Sequence, residues 1–152
     1  MRRRYLPCAV AVLLTLVTIT LPALAAEPTK DSLDVVKKNL AEGKAVLVDV
    51  RELPEWKAGH LADAILIPLS QLRKHGGEQG FAAQLAKKLS RKKIVYAHCR
   101  SGHRCLLAAD DLKRLGYDVR PLKAGYQKLL EAGFAKAKAK AEGKANDSAA
   151  GK

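Results

Sequence analysis

The chain has 152 residues, of which 28 are Lys or Arg and 15 are Asp or Glu, so its formal net charge is +13. This length favours a single domain, and an apolar fraction of 48% excludes a chain that is disordered throughout. Three cysteines are too few for a disulfide-rich scaffold. The charge first suggests a nucleic-acid binder, and the odd cysteine count suggests a free thiol.

Residues 1–25 have the pattern of a secretory signal peptide. Three arginines follow Met1, an uncharged apolar run covers residues 8–21, and a small-residue series covers residues 23–26. The run is about 14 residues long, whereas a transmembrane helix needs ~20. We therefore expect cleavage after Ala25 and export to a bacterial periplasm, by the general secretory route rather than the twin-arginine route. An uncleaved anchor helix is the alternative; after cleavage no stable membrane association is expected.

Removal of this leader changes both the charge and the cysteine count. It takes away three arginines and Cys8, so the mature chain has 25 basic and 15 acidic residues, a net charge of +10, and keeps Cys99 and Cys105. Residues 135–152 are rich in Lys and Ala and lack large apolar side chains, which predicts a disordered, solvated tail. The tail carries +3 without an aromatic residue, so we expect no nucleic-acid binding. The domain between, residues 27–134, carries +7.

Apolar runs alternate with amphipathic segments along this domain. Asp31 or Ser32 is expected to cap the first helix, Ser70 to cap a short helix after the second strand, and Gly116 to end a later helix. The predicted strands cover residues 45–50, 64–67, 93–98 and 118–122. The predicted helices run from residue 32 to 42, from 53, from 70 to the 76–77 loop, from 78 to 89, from 104 to 115 and from 126 to 132. This alternation indicates an α/β fold with a mostly parallel central sheet flanked by helices on both faces.

The segment 98–105 leaves the third predicted strand and leads into a helix. Backbone N–H groups of such a turn converge on one point together with the helix N-terminus, and they lower the pKa of a thiol, as nearby cations do. Gly102 permits a tight turn, and Arg100 and Arg104 can make forked contacts with an anion. The pattern predicts that Cys99 is a nucleophile for a substrate that carries oxyanions. A buried structural cysteine is the alternative.

Short motifs around this loop and the earlier strands share the spacing of a known family. They are Asp49-Val50-Arg51-Glu52, Glu55-Trp56, Gly59-His60-Leu61, Ala64, Ile67-Pro68-Leu69 and Cys99-Arg100-Ser101-Gly102-His103-Arg104. Over about residues 30–134 the chain resembles a rhodanese-type sulfurtransferase domain, in particular the periplasmic single-domain members. The resemblance implies a rhodanese-like fold and a persulfide on Cys99, formed by attack on a sulfane donor such as thiosulfate. The substrate-binding residues that it implies are Arg100, Ser101, Gly102, His103 and Arg104.

The length of the loop separates two chemistries. Four residues lie between Cys99 and Arg104, where the cysteine phosphatases that resemble this family carry five. The resemblance implies that a shorter loop suits the terminal sulfur of a persulfide, so a phosphatase or arsenate reductase is the less favoured enzyme. In the expected reaction Cys99 takes a sulfur from the donor and passes it to a thiol or to cyanide. A noncatalytic or sulfur-carrier module is the alternative from a different class.

Several other residues have open roles. Cys105, where the family usually has a small residue or a hydroxyl, can resolve the persulfide, form a disulfide with Cys99, or only pack. His103 contacts substrate or faces water. The resemblance also implies that Asp49, Arg51 and Glu55 form a structural charge network near the site. Because the histidines and cysteines lack zinc-site spacing, we expect no metal and no cofactor.

Overall fold

The computed structural model of the protein describes residues 26–138. The predicted leader, residues 1–25, and the predicted tail beyond residue 138 lie outside the described residues. The elements of the described part are α1 (Leu33–Ala41), β1 (Ala45–Asp49), α2 (Leu53–Ala58), β2 (Ala64–Leu66), α3 (Leu69–His75), α4 (Gln79–Lys88), β3 (Ile94–His98), α5 (His103–Arg114), β4 (Asp118–Pro121) and α6 (Tyr126–Glu131). Among these helices, none combines the length and the apolar character that crossing a membrane requires.

The four strands form one parallel sheet in the order β2-β1-β3-β4. Asp49, the last residue of β1, is in register with His98, the last residue of β3. The carboxyl ends of the two central strands therefore lie side by side, and the segment that follows β3 starts at this edge. Open α/β sheets place their sites at this edge. The prediction of an α/β fold with a mostly parallel sheet is confirmed by the pairing of the four strands.

Helices cover both faces of the sheet, as predicted. On one face α3, α4 and α5 pack on the strands, and the core includes Val48, Val95, Leu72, Leu85 and Leu112. On the other face α1 and α6 pack on the strands, and the core includes Leu47, Tyr96, Val36 and Leu129. Successive strand residues point to opposite faces, so burial on both sides explains the continuous apolar runs in the sequence.

The expected cap at Ser70 is wrong. Helix α3 begins at Leu69, directly after Pro68, and no side chain caps it. The Ser70 hydroxyl instead donates a hydrogen bond to Glu52 Oε2 at 2.7 Å. Glu52 is the residue before α2, where it takes part in a reciprocal capping arrangement with Glu55. Ser70 therefore links the starts of two helices that are separated in sequence.

Backbone pairing continues past residue 134, the predicted end of the domain. The Ala62 amide donates to the Ala135 carbonyl at 2.8 Å, and the Ala137 amide donates to the His60 carbonyl at 2.9 Å. Leu61 and Lys136 form the antiparallel bridge between these bonds. Backbone pairing of this kind satisfies main-chain groups without large apolar side chains, so composition alone does not reveal it, and the boundary at residue 134 stays a prediction.

Candidate active site

The loop after β3 holds a buried cysteine that is surrounded by backbone donors. Cys99 is fully buried, and the Gly102 amide donates to its sulfur at 3.1 Å. The neighbouring Cys105 thiol and the N–H groups of Ser101, Cys105 and Gly102 lower the pKa of Cys99 to about 4, although burial opposes them. At neutral pH Cys99 is therefore a thiolate, the form in which cysteine acts as a nucleophile.

Two glycines allow the loop to close. Gly102 precedes α5 with a φ of 94°, and a Cβ at this position would lie 2.7 Å from the Lys123 carbonyl oxygen. Gly125 precedes α6 with an ordinary φ, and a Cβ there would lie 2.0 Å from the Arg100 carbonyl oxygen. Gly102 was named from the sequence. Gly125 was missed, because the approach of its backbone to Arg100, 25 positions earlier, leaves no local signal.

The start of α6 also fixes the loop by a hydrogen bond. The Tyr126 amide donates to the Cys99 carbonyl at 2.8 Å. On the other side, the Val50 amide donates to the His98 carbonyl at 3.0 Å. His98 and Cys99 are thus held by the residue after β1 and by the first residue of α6, which keeps the cysteine at a defined position.

Cys105 lies in the first turn of α5 and is fully buried. Its thiol faces two carbonyl oxygens, that of Gly102 at 2.9 Å and that of Leu122 at 3.3 Å. The adjacent Cys99 sulfur and burial both raise the pKa of Cys105 above its ordinary range. Both cysteines are free thiols in this structure. Because attack on a persulfide needs a thiolate, this environment favours the packing role over the resolving role.

The two loop arginines differ in their surroundings. Arg104 is half-buried and its guanidinium forks onto the Glu55 carboxylate, with N–O distances of 2.6 and 2.7 Å. The Arg104 contact lowers the pKa of Glu55 to about 2, so the pair persists at neutral pH. Arg100 is exposed. The charge of Arg104 is therefore largely compensated, and its assignment as an anion ligand stays a prediction.

The predicted site residues thus fall into two groups. Three are buried, namely Cys99, Gly102 and Cys105, and three are exposed, namely Arg100, Ser101 and His103. All of them lie in the loop after β3 or in the first turn of α5. Arg104 is half-buried and so is intermediate in exposure between the two groups. The position of His103 agrees with either of its two predicted roles, contact with substrate or contact with water.

A buried ion pair supports the carboxyl end of β1 beside the loop. Arg51 binds the fully buried Asp49 carboxylate with its Nη2 at 2.6 Å from Oδ2. The same Nη2 donates to the Gly59 carbonyl at 2.8 Å, and the guanidinium lies 4.0 Å from the centre of the Tyr126 ring. Arg51 therefore connects β1, the end of α2 and the start of α6. Glu55, expected in this network, instead pairs with Arg104.

His98, the residue before Cys99, is fully buried. Its Nε2 lies 3.8 Å from Asp49 Oδ2. Burial lowers the pKa of His98 below its ordinary value, against the effect of the nearby Asp49 charge. Because the imidazole is neutral, His98 adds no charge next to the Cys99 loop. Among the described residues, no cluster of three or more His, Cys, Asp and Glu side chains is arranged to hold a metal ion.

Comparison with known proteins identifies related sequences. The family model described as "Rhodanese-like domain" matches residues 32–132. A human thiosulfate:glutathione sulfurtransferase is 33% identical over 113 residues, which are 71% of this chain and 97% of that protein. An uncharacterised protein of Bacillus subtilis is 36% identical over 86 residues, and a putative sulfur carrier protein of the same organism is 28% identical over 87 residues. These matches cover 56% and 57% of this chain but only 60% and 42% of the two Bacillus proteins.

Two solved structures have a fold similar to that of this chain. A human single-domain sulfurtransferase superposes with a TM-score of 0.58 at 31% identity, over 69% of this chain and 96% of that one. A rhodanese-related protein from Thermoplasma volcanium has a TM-score of 0.52 at 29% identity, over 68% of this chain and 91% of that one. The similarity thus extends over nearly the whole of both solved structures.

Proposed function

The chain belongs to the rhodanese-like sulfurtransferase family, and from this premise we propose that it moves a sulfane sulfur from thiosulfate to a thiol or cyanide through a persulfide on Cys99. The observation that carries the proposal is the buried Cys99 sulfur inside a loop of backbone donors, which lower the pKa of its thiol to about 4. The name of the human relative, which includes thiosulfate and glutathione, supports the choice of donor and of a thiol acceptor.

The first half-reaction breaks the S–S bond of the donor. The Cys99 thiolate attacks the outer sulfur of thiosulfate, and sulfite leaves with the electron pair of the broken bond. A negatively charged persulfide remains on Cys99, and no proton moves. The Gly102 amide, 3.1 Å from Cys99 Sγ, and the other loop N–H groups stabilise this charge. Arg100 attracts the donor at the exposed mouth, and the positive charge of the domain favours its approach.

The second half-reaction regenerates the enzyme. The thiolate of a small thiol, or cyanide, attacks the outer sulfur of the persulfide and leaves with it as a new persulfide or as thiocyanate. The electron pair of the broken S–S bond returns to Cys99, which becomes a thiolate again. Because its pKa is about 4, Cys99 is a good leaving group at neutral pH.

A thiocyanate assay tests this proposal directly. Wild type, Cys99→Ser and Cys105→Ser are compared with thiosulfate and cyanide as substrates. We expect activity in wild type and in Cys105→Ser, and none in Cys99→Ser. Mass spectrometry after exposure to thiosulfate should find one added sulfur atom in wild type and in Cys105→Ser, and none in Cys99→Ser. A folded, reduced wild type that forms no thiocyanate would contradict the proposal.

A sulfur-carrier role is the second candidate, and the match to a putative sulfur carrier protein favours it. A carrier also forms the Cys99 persulfide but gives its sulfur to a protein partner instead of a small acceptor. The two roles separate in a single-turnover experiment with preformed persulfide. Rapid loss of the added sulfur to glutathione or cyanide supports the enzyme, and a persulfide that survives both acceptors supports the carrier.

We also propose that the protein is exported to the periplasm by the general secretory route. Support comes from the sequence: three arginines, a short apolar run and small residues up to Ala25. The test is fractionation of cells that express the full chain, with the mass of the product measured. A periplasmic product that lacks residues 1–25 supports export, whereas a full-length product in the membrane or cytoplasm contradicts it.

A further inference from the structure

Ala26 is buried, unlike the residue that follows it. Its exposed fraction is 9%, and it belongs to the core on the α5 side of the sheet. Its backbone nitrogen donates to Asp110 Oδ1, in the middle of α5, at 3.0 Å. The next residue, Glu27, is exposed. The Thr29 amide donates to the Pro121 carbonyl, at the end of β4, at 2.8 Å. Residues 26–29 are therefore attached to the domain at two points.

This nitrogen belongs to the peptide bond that the sequence marks for cleavage. We propose that removal of the leader between Ala25 and Ala26 creates a free α-ammonium group that forms an ion pair with Asp110. The proposal rests on the proposed export. In the cleavage step water adds across the peptide bond, with hydroxide to the Ala25 carbonyl and a proton to the Ala26 nitrogen. The reaction needs only water and a processing endopeptidase, and the new amine is mostly protonated at neutral pH.

The surroundings of Asp110 suit such a group. Asp110 is half-buried, and none of the ion pairs within the described part of the chain involves it, whereas its neighbour Asp111 pairs with Arg114. In the uncleaved chain the Ala26 N–H that donates to Asp110 is neutral. After cleavage the same nitrogen carries a full positive charge, and hydrogen bonds between charged groups are shorter and stronger than neutral ones. Partial burial reduces the screening of this charge by solvent.

The pair also depends on the register of cleavage. If the leader were removed one residue later, the ammonium would belong to the exposed Glu27, and the nitrogen of Ala26 would be lost. Cleavage after Ala25 thus places the new charge next to Asp110. Because Asp110 is on α5, the helix that starts at the end of the Cys99 loop, the processed N-terminus would be bound to the element that carries the loop.

Acetylation of the N-terminus provides a matched control. The acetyl group reproduces the carbonyl of the uncleaved bond, so it keeps the hydrogen bond to Asp110 and removes only the charge. We would prepare the chain from Ala26 to Lys152, with the amine either free or acetylated, as wild type, Asp110→Asn and Asp111→Asn. A fusion partner whose protease leaves no extra residue gives the free amine. The measurement is the unfolding equilibrium in urea.

In wild type and in Asp111→Asn, acetylation is expected to lower the folded-to-unfolded ratio by about 5- to 30-fold. In Asp110→Asn it should have no effect. An equal loss in Asp110→Asn and wild type, or no loss in wild type, would overturn the ion pair. If Asp110→Asn does not fold, a chain that starts at Glu27 replaces it, and acetylation should not change its stability.

Mass analysis of the exported protein completes the test. A product that begins at Ala26 supports the inference. A product that begins at Glu27 overturns it and leaves the proposed export intact, whereas retention of the leader contradicts the export itself. Neither the urea measurement nor the mass depends on sulfur transfer, so failure of the enzymatic proposal would be seen separately.

Discussion

Substitution of Gly125 by alanine should displace the Cys99 loop. The added Cβ would lie 2.0 Å from the Arg100 carbonyl oxygen, 2.6 Å from the Arg100 carbonyl carbon and 3.0 Å from Ser101 Cα. All three are backbone atoms, so no side-chain rotation relieves the contact. Ordinary van der Waals contact begins at 3.4 Å, which means that the two segments must separate by about 1.4 Å at their closest point.

This separation acts on the catalytic geometry. The 2.8 Å hydrogen bond from the Tyr126 amide to the Cys99 carbonyl spans the same contact, so it must lengthen or break. A misplacement of ~1 Å in an active site costs about 100-fold in rate. We therefore expect kcat/KM for thiosulfate to fall by about 100-fold in Gly125→Ala, because the loop donors no longer converge on the sulfur.

Gly80→Ala is the matched control. Gly80 lies in α4, and beyond its chain neighbours and the backbone of its own helix, a Cβ at that position meets no atom of the described residues within 4 Å. This variant should keep full activity and gain about 0.5–1 kcal/mol in unfolding free energy, because alanine favours a helix over glycine. The assay is the initial rate of thiocyanate formation by each purified protein, with urea unfolding to confirm folding. If Gly125→Ala remains within about twofold of wild type, the close approach does not control the loop.

Three further predictions concern charge. The rate of Cys99 alkylation by iodoacetamide should be constant down to about pH 5 and should fall as the pH passes through about 4, because protonation removes the thiolate. Cys105→Ala should move this decline to higher pH, because the Cys105 thiol lowers the pKa of Cys99. Glu55→Gln should lower KM for thiosulfate by about 2- to 5-fold, since it releases the charge of Arg104; an unchanged or higher KM would contradict an anion-binding role for Arg104. Asp49→Asn should destabilise the fold by about 3–5 kcal/mol in urea, because Arg51 is left buried without its counter-ion; a loss below about 1 kcal/mol would show that water compensates.

The sequence was sufficient for the parallel sheet and for the cysteine loop. Both depend on local patterns: apolar runs that end in polar residues, and a glycine between arginines after the third run. Ser70 was misassigned because a serine before a helical pattern looks the same whether it caps that helix or, as here, binds Glu52 at the start of another. A choice between two acceptors depends on tertiary contact, which a local pattern does not contain.

The charges around the site illustrate the same limit. The role of Arg104 as a ligand of the donor's oxyanion stays a prediction, and nothing in the sequence indicated that its guanidinium also binds Glu55, which lies 49 positions earlier in the chain. Gly125 is needed because a loop and a helix start approach each other, and nothing in its own neighbourhood indicates this. Residue type predicted which chemistry is available, whereas the pairing of charges and the close backbone contacts depend on the packing of distant segments.

The hydrogen bond from Tyr126 to Cys99 also bears on the time at which the cysteine becomes reactive. Before the segment around Tyr126 has docked, the loop lacks one of its supports, and an unfolded chain offers no arranged amides to lower the pKa of a thiol. Cys99 should therefore remain a protonated, slowly reacting thiol at neutral pH until folding is nearly complete. A chain that crosses a membrane unfolded would thus keep its nucleophile protected from oxidants until the domain has formed, and the alkylation rate of Cys99 near pH 6 would report the final step of folding.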